Sequence, residues 1–176
     1  MLYTGKGDDG KTSAFRCDQT RISKSSELPE ALGALDELNA LLGVVKMRAE
    51  DARIAGALRG AQEQLFVIQA QVAGADKRLA ADAVALVEAE IAAIEGEIPP
   101  VTGFSIAGGT ELSAMLDHAR TVARRAERRL LAVSEAGVAA LPSETKAYLN
   151  RLSSLLFALA RLANHQAGVV EEHPRY

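Results

Sequence analysis

Apolar residues recur along most of this chain in alternating steps of three and four. Leu35, Leu38, Leu42 and Val45 form one such stripe, and Leu58, Ala61, Leu65, Ile68 and Val72 a second. Val87, Ile91, Ile94 and Ile98 form a third, and Leu112, Met115, Ala119, Val122 and Ala126 a fourth. Leu149, Leu152, Leu156, Leu159 and Ala163 form the fifth. That spacing places the members of each stripe on one helical face, so the pattern predicts five amphipathic helices. Pro29 suits a first helical turn, Pro99-Pro100 ends the third helix, and Pro142-Ser143 divides the fourth from the fifth. Gly108-Gly109-Thr110 offers a turn and a candidate N-cap for the fourth helix. The joints between the first three helices read as short, and one connection, 99–109, as longer. Residues 1–26 lack the rhythm and read as loop, with a short extended piece at 1–4. The expected fold is all-α: a five-helix bundle over 27–168, with a non-helical N-terminal arm (1–26) and a tail (169–176), in a single domain spanning 1–176.

Composition supports the helices. Ala (33) and Leu (22) supply nearly a third of 176 residues, and there is no Trp. Both are strong helix formers, whereas strands favour β-branched and aromatic residues, so an all-β fold is excluded. The formal charge of −3 argues against a nucleic-acid partner. No apolar run is long enough for a membrane span, and the first residues lack the pattern of a signal peptide. A lone cysteine, Cys17, has no partner for an intramolecular disulfide, which fits a cytoplasmic setting.

Three places carry candidate chemistry. The first is the arm, where Gly5-Lys6-Gly7-Asp8-Asp9-Gly10-Lys11-Thr12 matches the pattern G-x-x-x-x-G-K-[ST]. That motif works between a buried strand and a helix N-terminus, and neither is indicated here. What remains is a glycine-rich segment whose N–H groups, hydroxyls and lysines could wrap a polyphosphate, or an unordered arm. The second is 120–129, which holds five of the chain's 14 arginines. Arg120, Arg124 and Arg128 share a helical face, and Arg125 and Arg129 form a ridge beside it. Such a cluster suits a multivalent anion, because the guanidinium fork grips phosphate with two bonds; the alternative is a solvated face paired with acidic neighbours. The third is Asn150, beside Leu149 in an apolar helix, where an amide is either buried and satisfied or reads a ligand. Asp36 is placed likewise beside the first stripe, half-buried and in want of a cation that an arginine of the fourth helix could supply.

Other chemistries find no support. The residues three positions before His118, His165 and His173 are Met115, Leu162 and Val170, which excludes a Glu-x-x-His di-iron bundle. No Cys/His cluster or Ser–His–Asp set assembles. His118 reads as a polar helix residue, and His173, in the tail, receives no role.

Taken in order, these segments resemble the PduO-type ATP:cob(I)alamin adenosyltransferases over nearly the full length. The matching stretches are Tyr3-Thr4, Gly7-Asp8-Asp9-Gly10 and Thr12, Arg21-Ile22-Ser23-Lys24, Ala31 with Gly33, and Asp36-Glu37-Leu38-Asn39. They continue through Phe104, Gly108-Gly109, Ala119-Arg120-Thr121-Val122, Arg124-Arg125-Ala126-Glu127-Arg128 and Tyr148-Leu149-Asn150-Arg151-Leu152-Ser153.

The resemblance implies a five-helix bundle that assembles as a homotrimer with ATP between subunits. It implies transfer of the 5′-deoxyadenosyl group of ATP to the cobalt of a reduced corrinoid, giving adenosylcobalamin and triphosphate. Mg²⁺ would sit on the phosphates, with no metal held by protein side chains. Thr4, Gly5, Lys6, Gly7, Thr12 and Ser13 would wrap the triphosphate, helped by Lys24. Arg124, Arg125 and Arg128 would hold nucleotide and phosphates, Glu127 would orient them, and Asn150 would contact ATP. Asp36 and Arg120 would form a structural ion pair, across the subunit interface. Phe104 matches the aromatic that displaces the corrinoid's lower ligand, so Arg128 and Phe104 are the expected catalytic pair. A reductase and an adenosylcobalamin-dependent enzyme are the implied partners, with neither nucleic acid nor membrane involved. Cob(I)alamin is a strong nucleophile that needs no general base, which agrees with the lack of a triad.

The chain departs from the family pattern at four places. Gly5-Lys6 stands for Lys-Thr, Ala107 for a Pro before Gly-Gly, and Ser154 for an Asp after Leu-Ser. Leu28-Pro29 stands where an Arg is common. These departures leave a non-catalytic nucleotide- or corrinoid-binding trimer as the alternative, and a plain helical interaction protein as a third.

Overall fold

A computed structural model describes residues 2–13 and 20–175. Cys17, Met1 and Tyr176 lie outside the described residues. Two short strands, β1 (Lys11–Ser13) and β2 (Arg21–Ser23), pair antiparallel with Thr12 opposite Ile22. Five helices follow: α1 (Glu27–Lys46), α2 (Ala52–Val72), α3 (Ala83–Glu97), α4 (Glu111–Glu135) and α5 (Ser143–Gln166). Of the extended piece expected at 1–4, residues 2–4 are described and lie outside both strands. Pairing occurs further on, where Ile22 packs against the helical core and Arg21 ties β2 to the preceding turn. Lys11-Thr12 lies within β1 and not at the helix N-terminus that a P-loop needs.

The stripes become the core. All named members of the first, second and fifth stripes are buried, as are Val87 and Ile94 of the third. On α4 the buried row shifts by part of a turn. Leu116, Ala119, Ala123, Ala126 and Leu130 are buried, while Leu112 and Met115 stand at the margin. Helix α5 is the axis of the bundle and packs on α4, α3 and α2; α1 packs on α4 and α2. Accordingly Leu155, Ala158, Ala160 and Leu162 are buried along with its stripe, leaving few exposed positions.

Local signals place the ends. Thr110 caps α4, its Oγ1 accepting from the Ser113 N–H at 3.0 Å. Asp51 caps α2, accepting from the N–H groups of Arg53 and Ile54 at 2.7 and 3.1 Å. The joint between α2 and α3 spans 73–82 and is not short, and α3 lies against α5 instead of packing along α2. Arg53 bridges the resulting groove, with Nε 2.6 Å from Glu90 and Nη1 2.5 Å from Glu97.

Candidate functional site

The arm is built from turns. Gly5 and Gly10 adopt φ of 67° and 76°, where a side chain would be strained. Their turns close through Asp8 N–H to the Gly5 carbonyl and Gly10 N–H to the Gly7 carbonyl, at 3.2 and 3.1 Å. Arg21 reaches back from β2 to hold the turn together. It donates two bonds of 2.8 Å to the Asp9 carboxylate and further bonds to the carbonyls of Lys6 and Lys11. The Arg21 bonds hold the Asp9 carboxyl below the usual carboxylate range. Lys24 lies across the arm with Nζ 2.7 Å from the Gly7 carbonyl, so close that a Cβ on Gly7 would meet it. Among the described residues, the N–H groups of Gly5 and Gly7 have no acceptor. Thr4, Lys6 and Ser13 are exposed, and Thr12 is half-buried.

The arginine ridge lies on α4. Arg124 and Arg128 are exposed, and among the described residues neither has an ion-pair partner. Arg125 is paired to Glu37 of α1 at 2.5 Å, and Arg120 to Asp117 one turn earlier at 3.4 Å. Arg120 therefore does not pair with Asp36 within the chain. Asp36 is exposed and not half-buried, because it projects off the stripe of Leu35 and Leu38; the buried polar residue of that segment is Asn39. Asn150 is likewise exposed. Its amide donates to Glu127 Oε1 at 3.3 Å and accepts from Arg151 at 2.7 Å, and Arg151 in turn pairs with Glu88 of α3 at 2.8 Å. Glu127 and Asn150 thus meet beside the two unpaired arginines. Among the described residues, no hydrogen bond or ion pair joins 2–13 to α4.

Phe104 stands 78% exposed on the 98–110 connection. The loop under it is tied to the tail. His173 Nδ1 is 2.9 Å from the Phe104 carbonyl, Ile106 N–H donates to Glu172 O at 2.8 Å, and Ser105 donates to Glu171 at 3.0 Å. His173, given no role above, is thus part of the loop's support. At the other end of the loop the buried Asn164 amide donates to the Gly108 carbonyl at 3.0 Å and accepts from Thr110 N–H at 3.1 Å. A cavity of about 460 Å³ lies between loop, α5 and tail. A second, of about 340 Å³, lies between α3, α4 and α5, where Arg120 and Arg124 face Phe157 and Ser153. Arg161 lines both cavities, with its guanidinium 4.8 Å from the Phe157 ring centre.

Asp117, Phe157, Arg161, Asn164 and Glu171 escaped sequence reasoning, and Arg21 and Glu37 were matched there without a role. One signal was available for Arg161. A charge within an apolar run on the fifth helix must find a buried counter-charge, and it does so in Asp117, at 2.8 Å.

The arm, the arginine ridge and the loop can do complementary work. Free backbone N–H groups and unpaired arginines offer charge-assisted bonds to phosphate oxygens, and an exposed aromatic beside a cavity offers an apolar wall.

Comparison with known proteins agrees. Residues 2–163 match the family model described as cobalamin adenosyltransferase. The chain is 38% identical over 173 residues to the corrinoid adenosyltransferase PduO of Citrobacter freundii, covering 94% of this chain and 50% of that protein. The chain spans about half the length of this PduO protein and of its Salmonella typhimurium counterpart. It is 37% identical over 186 residues to a corrinoid adenosyltransferase of Mycobacterium bovis, covering 96% of this chain and 91% of that one. Among solved structures it resembles a variant PduO-type ATP:corrinoid adenosyltransferase from Lactobacillus reuteri complexed with cobalamin and ATP. There the TM-score is 0.90 at 26% identity, over 99% of this chain and 97% of that one. Bundle, arm, arginine ridge and sequence match converge, and the chain belongs to the cobalamin adenosyltransferase family.

Proposed function

We propose that this protein transfers the 5′-deoxyadenosyl group of ATP to the cobalt of a reduced corrinoid. The observation that carries this reading is the pair of unpaired, exposed arginines, Arg124 and Arg128, beside the Glu127–Asn150 contact. Co(I) supplies the electron pair that forms the Co–C5′ bond, the C5′–O bond breaks, and triphosphate departs. No proton has to be removed, so no general base is required of the chain. The developing charge on the leaving triphosphate is met by Arg124, Arg128 and Lys24 and by the amides of Gly5 and Gly7. Mg²⁺ would arrive on the triphosphate. The described residues contain no cluster of metal-ligating side chains to hold it. Phe104 provides an apolar wall at the cobalt that excludes an axial base or water, which favours reduction. Closure of the arm would hold C5′ near cobalt, a positioning contribution.

Among the described residues of one chain the arm and the arginine ridge are not bonded to each other, and Asp36 is exposed without a cation. Both observations support a homotrimer in which ATP lies between the arm of one subunit and the ridge of the next, with Asp36 pairing to a neighbour's Arg120. Among the described residues no helix is long and apolar enough to cross a membrane. A cytoplasmic reaction, fed by a reductase and supplying an adenosylcobalamin-dependent enzyme, fits these substrates.

The test is direct. Protein, ATP, Mg²⁺ and chemically reduced cobalamin are mixed anaerobically in the dark, and the spectrum of adenosylcobalamin is followed. Product formed in proportion to enzyme supports the proposal. Tight ATP and corrinoid binding without turnover supports a carrier or sensor instead. No heat of binding with millimolar ATP supports a helical interaction protein.

A further inference from the structure

The loop that presents Phe104 is held by a buried chain of charges that begins on the arginine helix. Arg120 and Asp117 lie one turn apart on α4 at 3.4 Å, and Asp117 pairs with Arg161 of α5 at 2.8 Å. Arg161 Nε lies 2.6 Å from Glu171 of the tail, a charge contact and not an aligned hydrogen bond. The side chains of Arg161 and Asp117 are 4% exposed, so each charge in the interior is held by two counter-charges, Arg161 by Asp117 and Glu171, and Asp117 by Arg161 and Arg120. Glu171 is the far end of this series of charges and, among the described residues, its only member hydrogen-bonded to the loop. Its carboxylate receives Ser105 at 3.0 Å and Asn164 at 2.9 Å. The next tail residues complete the clamp, Glu172 through the Ile106 N–H and His173 at the Phe104 carbonyl. Phe104 itself is 78% exposed, so little burial holds the ring, and its backbone is held by this clamp.

Resting on the adenosyl-transfer reading above, we propose that Glu171 is a positioning residue for the corrinoid half of the reaction. It fixes the Phe104 backbone by joining the Ser105 hydroxyl to the buried Arg161–Asp117 pair. The same carboxylate links the loop to α4, the helix that carries the phosphate-facing arginines. It touches neither substrate.

The experiment uses the full chain and compares Glu171→Gln, Phe104→Ala and the double variant. Glu171→Gln lowers kcat with reduced cobalamin at least tenfold, while the ATP dissociation constant measured by calorimetry stays within twofold. In the Phe104→Ala background the same substitution changes kcat less than twofold, because the residue it positions is gone. A second readout needs no turnover. Amide hydrogen exchange across 104–106 accelerates at least tenfold in Glu171→Gln, with α1 and α2 unchanged. Ser105→Ala, which removes the loop-side bond and no charge, gives the same pattern at smaller size and serves should Glu171→Gln fold poorly. Equal losses of kcat in both backgrounds, or unchanged exchange at 104–106, overturn the proposal. A wild-type protein without turnover overturns the adenosyl-transfer reading, and the exchange measurement still decides the clamp.

Discussion

The Asn164 side chain occupies the space that a Cβ on Gly109 would fill, with Oδ1 only 2.5 Å from that position. Gly109 also adopts φ of 101°, a conformation that L side chains rarely enter. Asn164 uses this approach to satisfy the Gly108 carbonyl and the Thr110 N–H at the start of α4. Gly109→Ala therefore combines backbone strain with a clash. It should cost about 1–3 kcal/mol, measured as a shift of the urea midpoint at constant slope.

Arg128→Ala and Arg124→Ala should each raise the KM for ATP more than tenfold, because a charge-assisted phosphate bond is worth roughly 1.5–3 kcal/mol. Arg125→Ala should do less. Its charge is already committed to Glu37 in a half-exposed pair. Steady-state kinetics on the three variants separates them, and equal losses would contradict the assignment.

Phe104→Ala should leave thermal stability and ATP affinity near wild type, since the ring is exposed and buries little surface. Turnover on cobalamin should fall. A collapse of ATP affinity would mean that the ring packs in the nucleotide site instead of facing cobalt.

Asp117→Asn breaks a buried pair and leaves Arg161 with Glu171 as its remaining counter-charge. A loss of about 1.5–3 kcal/mol is expected, read from equilibrium unfolding. Glu111→Gln is the control: its contact with Arg48 is exposed at 3.7 Å, and its loss should be within about 0.5 kcal/mol.

Asp51 gives a pH signature. The Ile54 N–H and the Gln166 amide hold its carboxyl below the ordinary value of 3.8. A depressed folded pKa means stabilisation that is present above 3.8 and lost as pH falls through the folded value. Asp51→Ala should cost about 0.5–2 kcal/mol at neutral pH. The difference in Tm from wild type should shrink on acidification well below pH 3.8.

The helices were legible because burial on one face imposes a period, which Leu35 through Ala163 carry except where packing shifts the buried row on α4 and leaves Ile91 and Ile98 at the margin of α3. Neighbour relations were not legible. A stripe says that α3 has a face to bury, but not that the face meets α5 and leaves a groove toward α2. Asp36, and Asn150 in its buried alternative, were drawn too far inward because each follows a stripe residue by one position, a rotation of about 100° that carries the side chain to the rim. The hairpin of the arm depends on Arg21 reaching Asp9 twelve residues away. The tail depends on Glu171 reaching Ser105 sixty-six residues away. Neither leaves a local periodic trace. In the candidate site, the clustered arginines, the glycine-rich arm and Phe104 were visible as residue types in unusual company. The paired groups that hold them in place were not, since a counter-charge on another helix is known only once the helices are placed.

Helix α5 is enclosed on almost every side, and its Arg161 forms a wall of both cavities. This has a consequence for how such a protein diverges. A substitution along α5 disturbs two chambers and the shared core at once, so the helix has little room to drift. The exposed positions of 98–110 and of the tail beyond α5 carry no such double burden. Descendants that come to hold a different ligand would accumulate their changes there, around a fifth helix that stays as it is.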